Sequence, residues 1–96
     1  MKYIVDIDET ICTKQQEEHY RESRPIESRI EKINQLYDEG HEIVYWTARG
    51  MATKIDYTAL TKQQLKEWNC KYTELKMNKP QYDVWIDDKA QWIFEE

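Results

Sequence analysis

Residues 3–10, YIVDIDET, run from an apolar, β-branched stretch into two aspartates separated by one isoleucine. An uninterrupted apolar run of this kind is typical of a strand buried on both faces of a parallel sheet. Side chains two positions apart in a strand point to the same side, so Asp6 and Asp8 should converge at its carboxyl end. Two carboxylates this close repel each other unless a cation or hydrogen-bond donors compensate them. The stretch therefore predicts a first strand that ends in a charged site.

Outward from this stretch, segments typical of strands alternate with segments typical of helices. Further strands are predicted at 42–47, 71–75 and 82–86. A helix is predicted from Pro25, which suits a first-turn position, to a C-terminal cap at Gly40. A second helix is predicted at 60–68, with Thr61 and Gln64 as a capping box.

This alternation, with its short connections, predicts one α/β domain over residues 1–96. We expect a Rossmann-like three-layer sandwich with a mostly parallel sheet, right-handed crossovers and helices on both faces. Ligands of such sheets bind beyond the carboxyl ends of the strands. The polar residues that follow the predicted strands all lie at those ends: Asp6, Asp8, Thr47, Asp87 and Asp88.

These residue types suit a phosphate and a hard divalent cation. Mg²⁺ takes oxygen ligands from carboxylates, waters and substrate phosphates, whereas the sequence has no His or Cys cluster with zinc spacing. Lys79 supplies a cation for the phosphate, with Lys76 as the alternative. The turn TARG (47–50) supplies a hydroxyl and backbone N–H groups. Together these are the parts needed for phosphoryl transfer through an aspartyl-phosphate.

The motifs DIDET (6–10), VYWTARG (44–50), Lys79 and VWIDDKA (84–90), in that order, resemble the four motifs of the haloacid dehalogenase (HAD) superfamily of phosphatases. The likeness covers almost the whole chain. It is similar in particular to very small phosphatases encoded with polysaccharide-biosynthesis genes and in phages. The resemblance implies an HAD-like fold and a Mg²⁺-dependent phosphomonoesterase with little or no cap domain.

The resemblance also implies roles for the acidic residues. Asp6 would be the nucleophile, and Asp8 would be the general acid and then the general base. Asp6, the main-chain carbonyl of Asp8, Asp87 and Asp88 would bind the metal, with Asp88 acting directly or through water. Glu9 departs from the glycine that is commoner at its position, which bears on the substrate class more than on activity.

Four residues would contact the phosphate by the same resemblance: Thr47, Ala48, Arg49 and Lys79. From the residues alone, Arg49 fits a surface or loop-ordering role as well as a substrate contact. Thr47 alone would suit a strand-ending hydroxyl that bonds its own backbone, and only the set of motifs favours phosphate.

The family normally adds a cap domain, but here a polar flap at about 11–25 is the only insertion after the first motif. We therefore expect an open site, or one covered by the flap or by a neighbouring subunit of a homo-oligomer. The leading hypothesis for the substrate is a small phosphorylated metabolite such as a sugar phosphate or nucleotide. The alternatives are a phosphatase for nucleic-acid ends and a catalytically silent binding module of HAD fold. A receiver domain is excluded, because its acidic pair follows the first strand rather than the fourth.

The charge composition argues against some classes of binding partner. With 14 Lys+Arg against 19 Asp+Glu, the formal net charge of −5 disfavours nucleic acid and anionic membranes as partners. The N-terminal apolar run is too short for a signal sequence, and no stretch has the length of a membrane span. Cys12 and Cys70 lack metal-type spacing and fit buried thiols. The sequence thus predicts a reduced, cytoplasmic protein.

Overall fold

The computed structural model describes residues 1–94, apart from the side chain of Glu17. Three strands and two α-helices alternate along the chain in the order β1 (Lys2–Val5), α1 (Glu27–Asp38), β2 (Glu42–Trp46), α2 (Thr58–Glu67) and β3 (Glu74–Lys76). A short 3-10 helix, Glu17–Glu22, lies between β1 and α1. The strands form a parallel sheet in the order β1-β2-β3, so the α/β class predicted from the sequence is confirmed.

Both helices pack on one face of this sheet. In the register of β1 and β2, Val5 pairs with Tyr45, and these side chains share a face. Residues of both helices join them in one buried cluster, through Ile30 and Ile33 of α1 and Leu65 of α2. The strand order explains this arrangement, because right-handed crossovers that advance in one direction place successive helices on the same side. The second helical layer expected from the sequence is not among the elements that residues 1–94 form.

The outer edge of β1 is left unpaired, and the opposite face is open beside β1 although Val44 of β2 on that face is fully buried. Within the described part of the chain, β1 pairs with β2 alone, and Ile4 on the helix-free face is 59% exposed. The fourth strand predicted over 82–86 is not formed in this structure, since these residues make no ladder and Val84 and Ile86 are 74% and 94% exposed. A β-branched run shows that a segment suits a sheet, but it cannot show which edge will receive its hydrogen bonds.

Two other expectations need correction. The third strand begins at Glu74 rather than at residue 71, and α2 begins at Thr58, one turn before the predicted cap. Thr61 therefore lies inside the helix, and its hydroxyl and the side chain of Gln64 both accept hydrogen bonds from Arg49 instead of capping α2. Thr61 and Gln64 have the spacing of a capping box, but their side chains bond to Arg49, a tertiary contact that the local sequence does not predict.

The flap is closed at its base by main-chain hydrogen bonds. The N–H of Thr13 donates to the Arg24 carbonyl at 2.9 Å, and the N–H of Ile26 donates to the Ile11 carbonyl at 2.8 Å. Isolated bridges join Cys12 to both Asp8 and Pro25. The flap is thus held to the turn that carries the two aspartates of the first motif. Neither α-helix of the described residues combines the length and apolarity that crossing a membrane requires.

Candidate active site

Asp6 follows β1 and has Lys79 beside it. The Lys79 Nζ lies 3.7 Å from Asp6 Oδ1, and the lysine side chain is only 13% exposed. The main chain fixes this lysine, because its N–H donates to the Thr47 carbonyl at 3.0 Å. Burial raises the pKa of Asp6 above its ordinary value, although the charge of Lys79 and the N–H of Ile7 act in the opposite direction. Asp6 is thus a partly desolvated carboxylate with one neighbouring cation.

Asp8 has a different cation. The Arg49 Nε donates to Asp8 Oδ2 at 3.0 Å, and the Arg49 Nη2 donates to Asp8 Oδ1 at 2.9 Å. Arg49 is 3% exposed, so the surface role considered for it is wrong. Burial alone would lower the pKa of Arg49, but the hydrogen bonds to Asp8 and its negative charge outweigh this effect and raise the pKa. Each aspartate therefore has its own cation, which offsets the repulsion between the two carboxylates.

The turn after β2 brings two more predicted residues, Thr47 and Ala48, to the same end of the sheet. Thr47 is 1% exposed, and its Oγ1 accepts the Arg49 N–H at 3.2 Å. Ala48, which follows it, is half-buried. The alternative lysine, Lys76, lies elsewhere, with its Nζ 5.2 Å from the centre of the Trp46 ring. Lys79 is accordingly the lysine that accompanies the first motif.

Asp87 and Asp88 are not brought to this site. Both are exposed, and Asp87 accepts hydrogen bonds from the Lys89 N–H at 2.9 Å and the Trp85 indole at 3.3 Å. These contacts, the Lys89 N–H first, lower the pKa of Asp87. Within residues 1–94, no three acidic, His or Cys side chains are grouped to hold a metal ion. The two acidic pairs are therefore apart in this arrangement, because their predicted convergence depends on a fourth strand that the structure does not form.

An open cleft of about 420 Å³ adjoins Arg49. Its walls are contributed by the loop after β2 and by the residues that follow β3. The apolar part of the wall consists of Met51, Ile55, Tyr57 and Met77. Lys54, Asp56 and Asn78 add polar groups. The cleft therefore suits a small group of mixed polarity attached to whatever occupies the site.

Comparison with known proteins gives one informative match. No protein-family profile and no curated protein matches this sequence. Among solved structures, the crystal structure of a target protein from Vibrio cholerae has a TM-score of 0.84 and 30% sequence identity, over 93% of this chain and 80% of that chain. The chain belongs to the same family as this Vibrio cholerae protein. The relationship extends through nearly all of this chain, so the two proteins share one fold.

Glu9 occupies a backbone conformation that explains why glycine suits its position. Its φ is 65°, in the left-handed region that costs a residue with a Cβ about 1–2 kcal/mol. The turn is held there from both sides, because the Glu9 N–H donates to the Cys12 carbonyl at 2.9 Å and its carbonyl accepts from Arg29 at 3.1 Å. Among the described side chains, the Glu9 carboxylate contacts the exposed Lys14, at 4.0 Å. In this structure, the consequence of glutamate in place of glycine at position 9 is therefore a strained backbone.

We expect Glu9→Gly to raise the melting temperature by a few degrees, about 0.5–1 kcal/mol, because glycine adopts this φ without strain. Thermal unfolding followed by circular dichroism measures the change. Glu9→Ala is the matched control, since alanine also loses the contact to Lys14 but keeps the Cβ. An equal rise in melting temperature for both variants would show that the gain comes from losing the carboxylate and not from relief of backbone strain.

Two supporting residues were missed by the sequence analysis. Arg29 of α1 donates to the carbonyls of Glu9 and Thr10 at 3.1 and 3.2 Å and so holds the turn after Asp8. Gln64 of α2 is 5% exposed and contacts Arg49 at 2.6 Å. The signal for Gln64 was present, because a polar residue beside the core position Leu65 is either strained or bonded to a buried partner.

Proposed function

We propose that this chain is a phosphatase of the HAD superfamily that hydrolyses a phosphomonoester through an aspartyl-phosphate on Asp6. The observation that carries the proposal is the pairing of each aspartate with a separate cation, Asp6 with Lys79 at 3.7 Å and Asp8 with Arg49 at 2.9 Å. The two carboxylates are thereby placed in different environments, and such a separation suits one nucleophile and one proton carrier.

In the first step, an oxygen of the Asp6 carboxylate attacks phosphorus and the bond from phosphorus to the leaving oxygen breaks. Lys79 lies where it can offset the charge of the transferring phosphoryl group, and the hydroxyl of Thr47 and the N–H of Ala48 add hydrogen bonds. Asp8 gives a proton to the leaving oxygen.

In the second step, a water oxygen attacks phosphorus while Asp8 accepts the proton of that water. The bond between phosphorus and Asp6 breaks, and its electron pair returns to the Asp6 carboxylate. The product is inorganic phosphate, and Asp6 is again free to attack.

The HAD-like sheet requires a fourth strand, and residues 84–86 are its source. The outer edge of β1 is unpaired in the described residues, and Ile4 beside it is exposed, as are Val84 and Ile86. An apolar strand edge and an apolar segment that are both exposed stabilise each other when they pair, by about 1.5–3 kcal/mol for each side chain that becomes fully buried.

The chain between Lys79 and Val84 is long enough for this pairing. Lys79 already lies at the carboxyl end of β1. Residues 80–83 span roughly 13 Å when extended, which is about the length of β1. Residues 84–86 can thus begin near the amino end of β1, run parallel to it and return Asp87 to the site.

We expect Ile86→Lys to lower the free energy of unfolding by about 2 kcal/mol or more if residue 86 is buried in the added strand. At a fully exposed position, the same change should stay within about 0.5 kcal/mol. Ile55→Lys serves as the control, because Ile55 is also an exposed isoleucine, at 53%. Urea titrations of the three proteins measure the difference. Equal stabilities would contradict the added strand.

Magnesium binding depends on the added strand, because only that strand would bring Asp87 and Asp88 to Asp6. The side chains of residues 1–94, as they are arranged, do not complete a magnesium site, because Asp8 is bound to Arg49 and the second acidic pair is exposed. With residues 84–86 paired to β1, Asp87 and Asp88 would lie near Asp6, and their carboxylates would supply oxygen ligands of the kind that Mg²⁺ takes.

The cleft beside Arg49 supports a small leaving group. Its volume of about 420 Å³ lies within the range of pockets that hold small molecules. A sugar phosphate or a nucleotide fits this size.

A phosphate-release screen tests the function. Sugar phosphates, nucleotides, phospho-acids, phosphorylated DNA ends, 4-nitrophenyl phosphate and acetyl phosphate are incubated with the protein, each with Mg²⁺ and with EDTA. We expect release from at least one small phosphoester and its loss in EDTA. Absence of release from every substrate would reject the phosphatase proposal, and release only from DNA ends would reject the small-metabolite class.

A further inference from the structure

The guanidinium group of Arg49 is fully occupied by the protein. Its five N–H groups point at acceptors on four side chains. Two go to the carboxylate of Asp8, one to Cys12 Sγ at 3.9 Å, one to Thr61 Oγ1 at 3.3 Å and one to Gln64 Oε1 at 2.6 Å. A guanidinium in this state has no N–H left for a substrate phosphate, so Arg49 acts through the groups that it holds.

Gln64 fixes Arg49 from the side opposite to Asp8. Its carbonyl oxygen accepts from Arg49, and its amide nitrogen donates to the Tyr20 carbonyl at 2.7 Å. Because the two ends of the amide have partners of opposite type, only one orientation of the side chain satisfies both. The Tyr20 ring also covers the guanidinium, whose carbon lies 4.6 Å from the ring centre. The flap, α2 and the turn after β2 thus meet at one arginine.

A buried guanidinium is costly unless every donor is bonded, and a bidentate pair with a carboxylate is among the most directional ion pairs. In this cluster, the carboxylate of the bidentate pair is Asp8, and Arg49 donates to both of its oxygens. Asp8 is therefore held in one rotamer by Arg49, and Arg49 in turn by Gln64.

We propose that Arg49 and Gln64 are positioning residues that fix Asp8 for hydrolysis of the phosphoenzyme. The inference deepens the proposed function and rests on it. In that step, the proton of the attacking water passes to the Asp8 carboxylate, the oxygen bonds to phosphorus, and the bond from phosphorus to Asp6 breaks. If the Asp8 carboxylate is not held within reach of the attacking water, this step slows and the phosphoryl group stays on Asp6.

The test uses 4-nitrophenyl phosphate in stopped-flow, because its leaving group departs without a proton and the first step then makes little demand on Asp8. For Arg49→Lys, which keeps the charge but cannot engage both oxygens, we expect a burst of nitrophenol equal to the enzyme concentration, followed by turnover slowed about 100-fold. For Gln64→Glu, whose carboxylate competes with Asp8 for Arg49 and cannot donate to the Tyr20 carbonyl, we expect a burst and a slowing of about 10-fold. Intact-mass spectrometry of quenched samples should show the phosphoenzyme accumulating in both variants and not in the wild type.

Gln63→Glu is the matched control, since Gln63 is the exposed neighbour that bonds Glu67 on the outer face of α2. It should behave as the wild type. Melting temperatures of all variants show whether they are folded, and Gln64→Glu keeps the test decisive if Arg49→Lys is unstable.

A slower burst phase or a raised KM without accumulation of phosphoenzyme would mean that Arg49 serves the first step or binds phosphate, and would overturn the inference alone. Unchanged turnover in folded variants would overturn it as well. A wild type that releases no phosphate from any substrate of the screen would instead overturn the proposed function, and this inference with it.

Discussion

Asp6→Asn is expected to abolish phosphate release while raising the melting temperature. The amide keeps the shape of the carboxylate but cannot form the covalent intermediate, so turnover should fall on the order of 10³-fold or more. The second effect follows from burial, which raises the pKa of Asp6 in the folded protein. A carboxyl group with a raised pKa stabilises the folded state in its protonated form, and this contribution is lost as the pH rises through the folded-state pKa.

The stability difference between Asp6→Asn and the wild type should accordingly be small at pH values below the ordinary pKa of 3.8 and grow towards neutral pH. Thermal unfolding at a series of pH values measures this trend, beside phosphate release for the same preparations. Asp38→Asn is the control, because Asp38 ends α1, away from the carboxyl ends of the strands, and pairs with the exposed Lys71 at 2.8 Å. It should leave activity unchanged. An Asp6→Asn protein that turns over like the wild type would exclude Asp6 as the nucleophile.

Gly50→Ala is expected to have the largest effect on stability. Gly50 has a φ of 86°, and a Cβ placed on it would collide with the main-chain carbonyl of Ile55 and come within 3.3 Å of the Tyr57 ring. Main-chain atoms cannot move aside as a flexible side chain can, because the loop is closed by a hydrogen bond from the Lys54 N–H to the Gly50 carbonyl at 2.7 Å. The strain and the collision together should cost about 3 kcal/mol or more, a fall in melting temperature of more than about 10 °C.

Gly40→Ala separates the two causes. Gly40 has a similar φ of 95°, but a Cβ there would meet nothing within 4 Å. Its substitution should cost about 1–2 kcal/mol, the backbone part alone. Melting temperatures of the two variants give the cost of the collision by difference. Equal losses would show that the loop after β2 moves to accept the new carbon.

The clearest success of the sequence concerned the ends of the first two strands. The apolar run before Asp6 and the EIVYW segment before Thr47 form β1 and β2, which place these residues and Lys79 together. Strong local patterns and the geometry of parallel sheets are sufficient for this result. The family of the Vibrio cholerae protein, related over 93% of the chain, is consistent with a fold carried by those patterns.

Residues whose partners are distant in sequence were described only in part. Arg49 was considered for a surface or loop-ordering role and for a phosphate contact, and Thr61 and Gln64 were assigned to a helix cap, because each suits those local roles. In the folded chain they bond to one another across 12 and 15 residues, which periodicity cannot reveal. The segment 82–86 illustrates the same limit, since its composition suits a strand but only the sheet edge can provide the pairing.

What the sequence by itself determined is the set of chemical groups and the ends of the strands on which they lie, because strand patterns and motif order are local properties. It also placed Asp6 and Asp8 side by side at the end of the first strand, without showing what offsets the repulsion between the two carboxylates. Only the tertiary structure decided the answer for the described residues, since Lys79 and Arg49 come from distant parts of the chain and each selects one aspartate. The choice depends on distances of 3.7 and 2.9 Å that arise when the loops fold over the sheet.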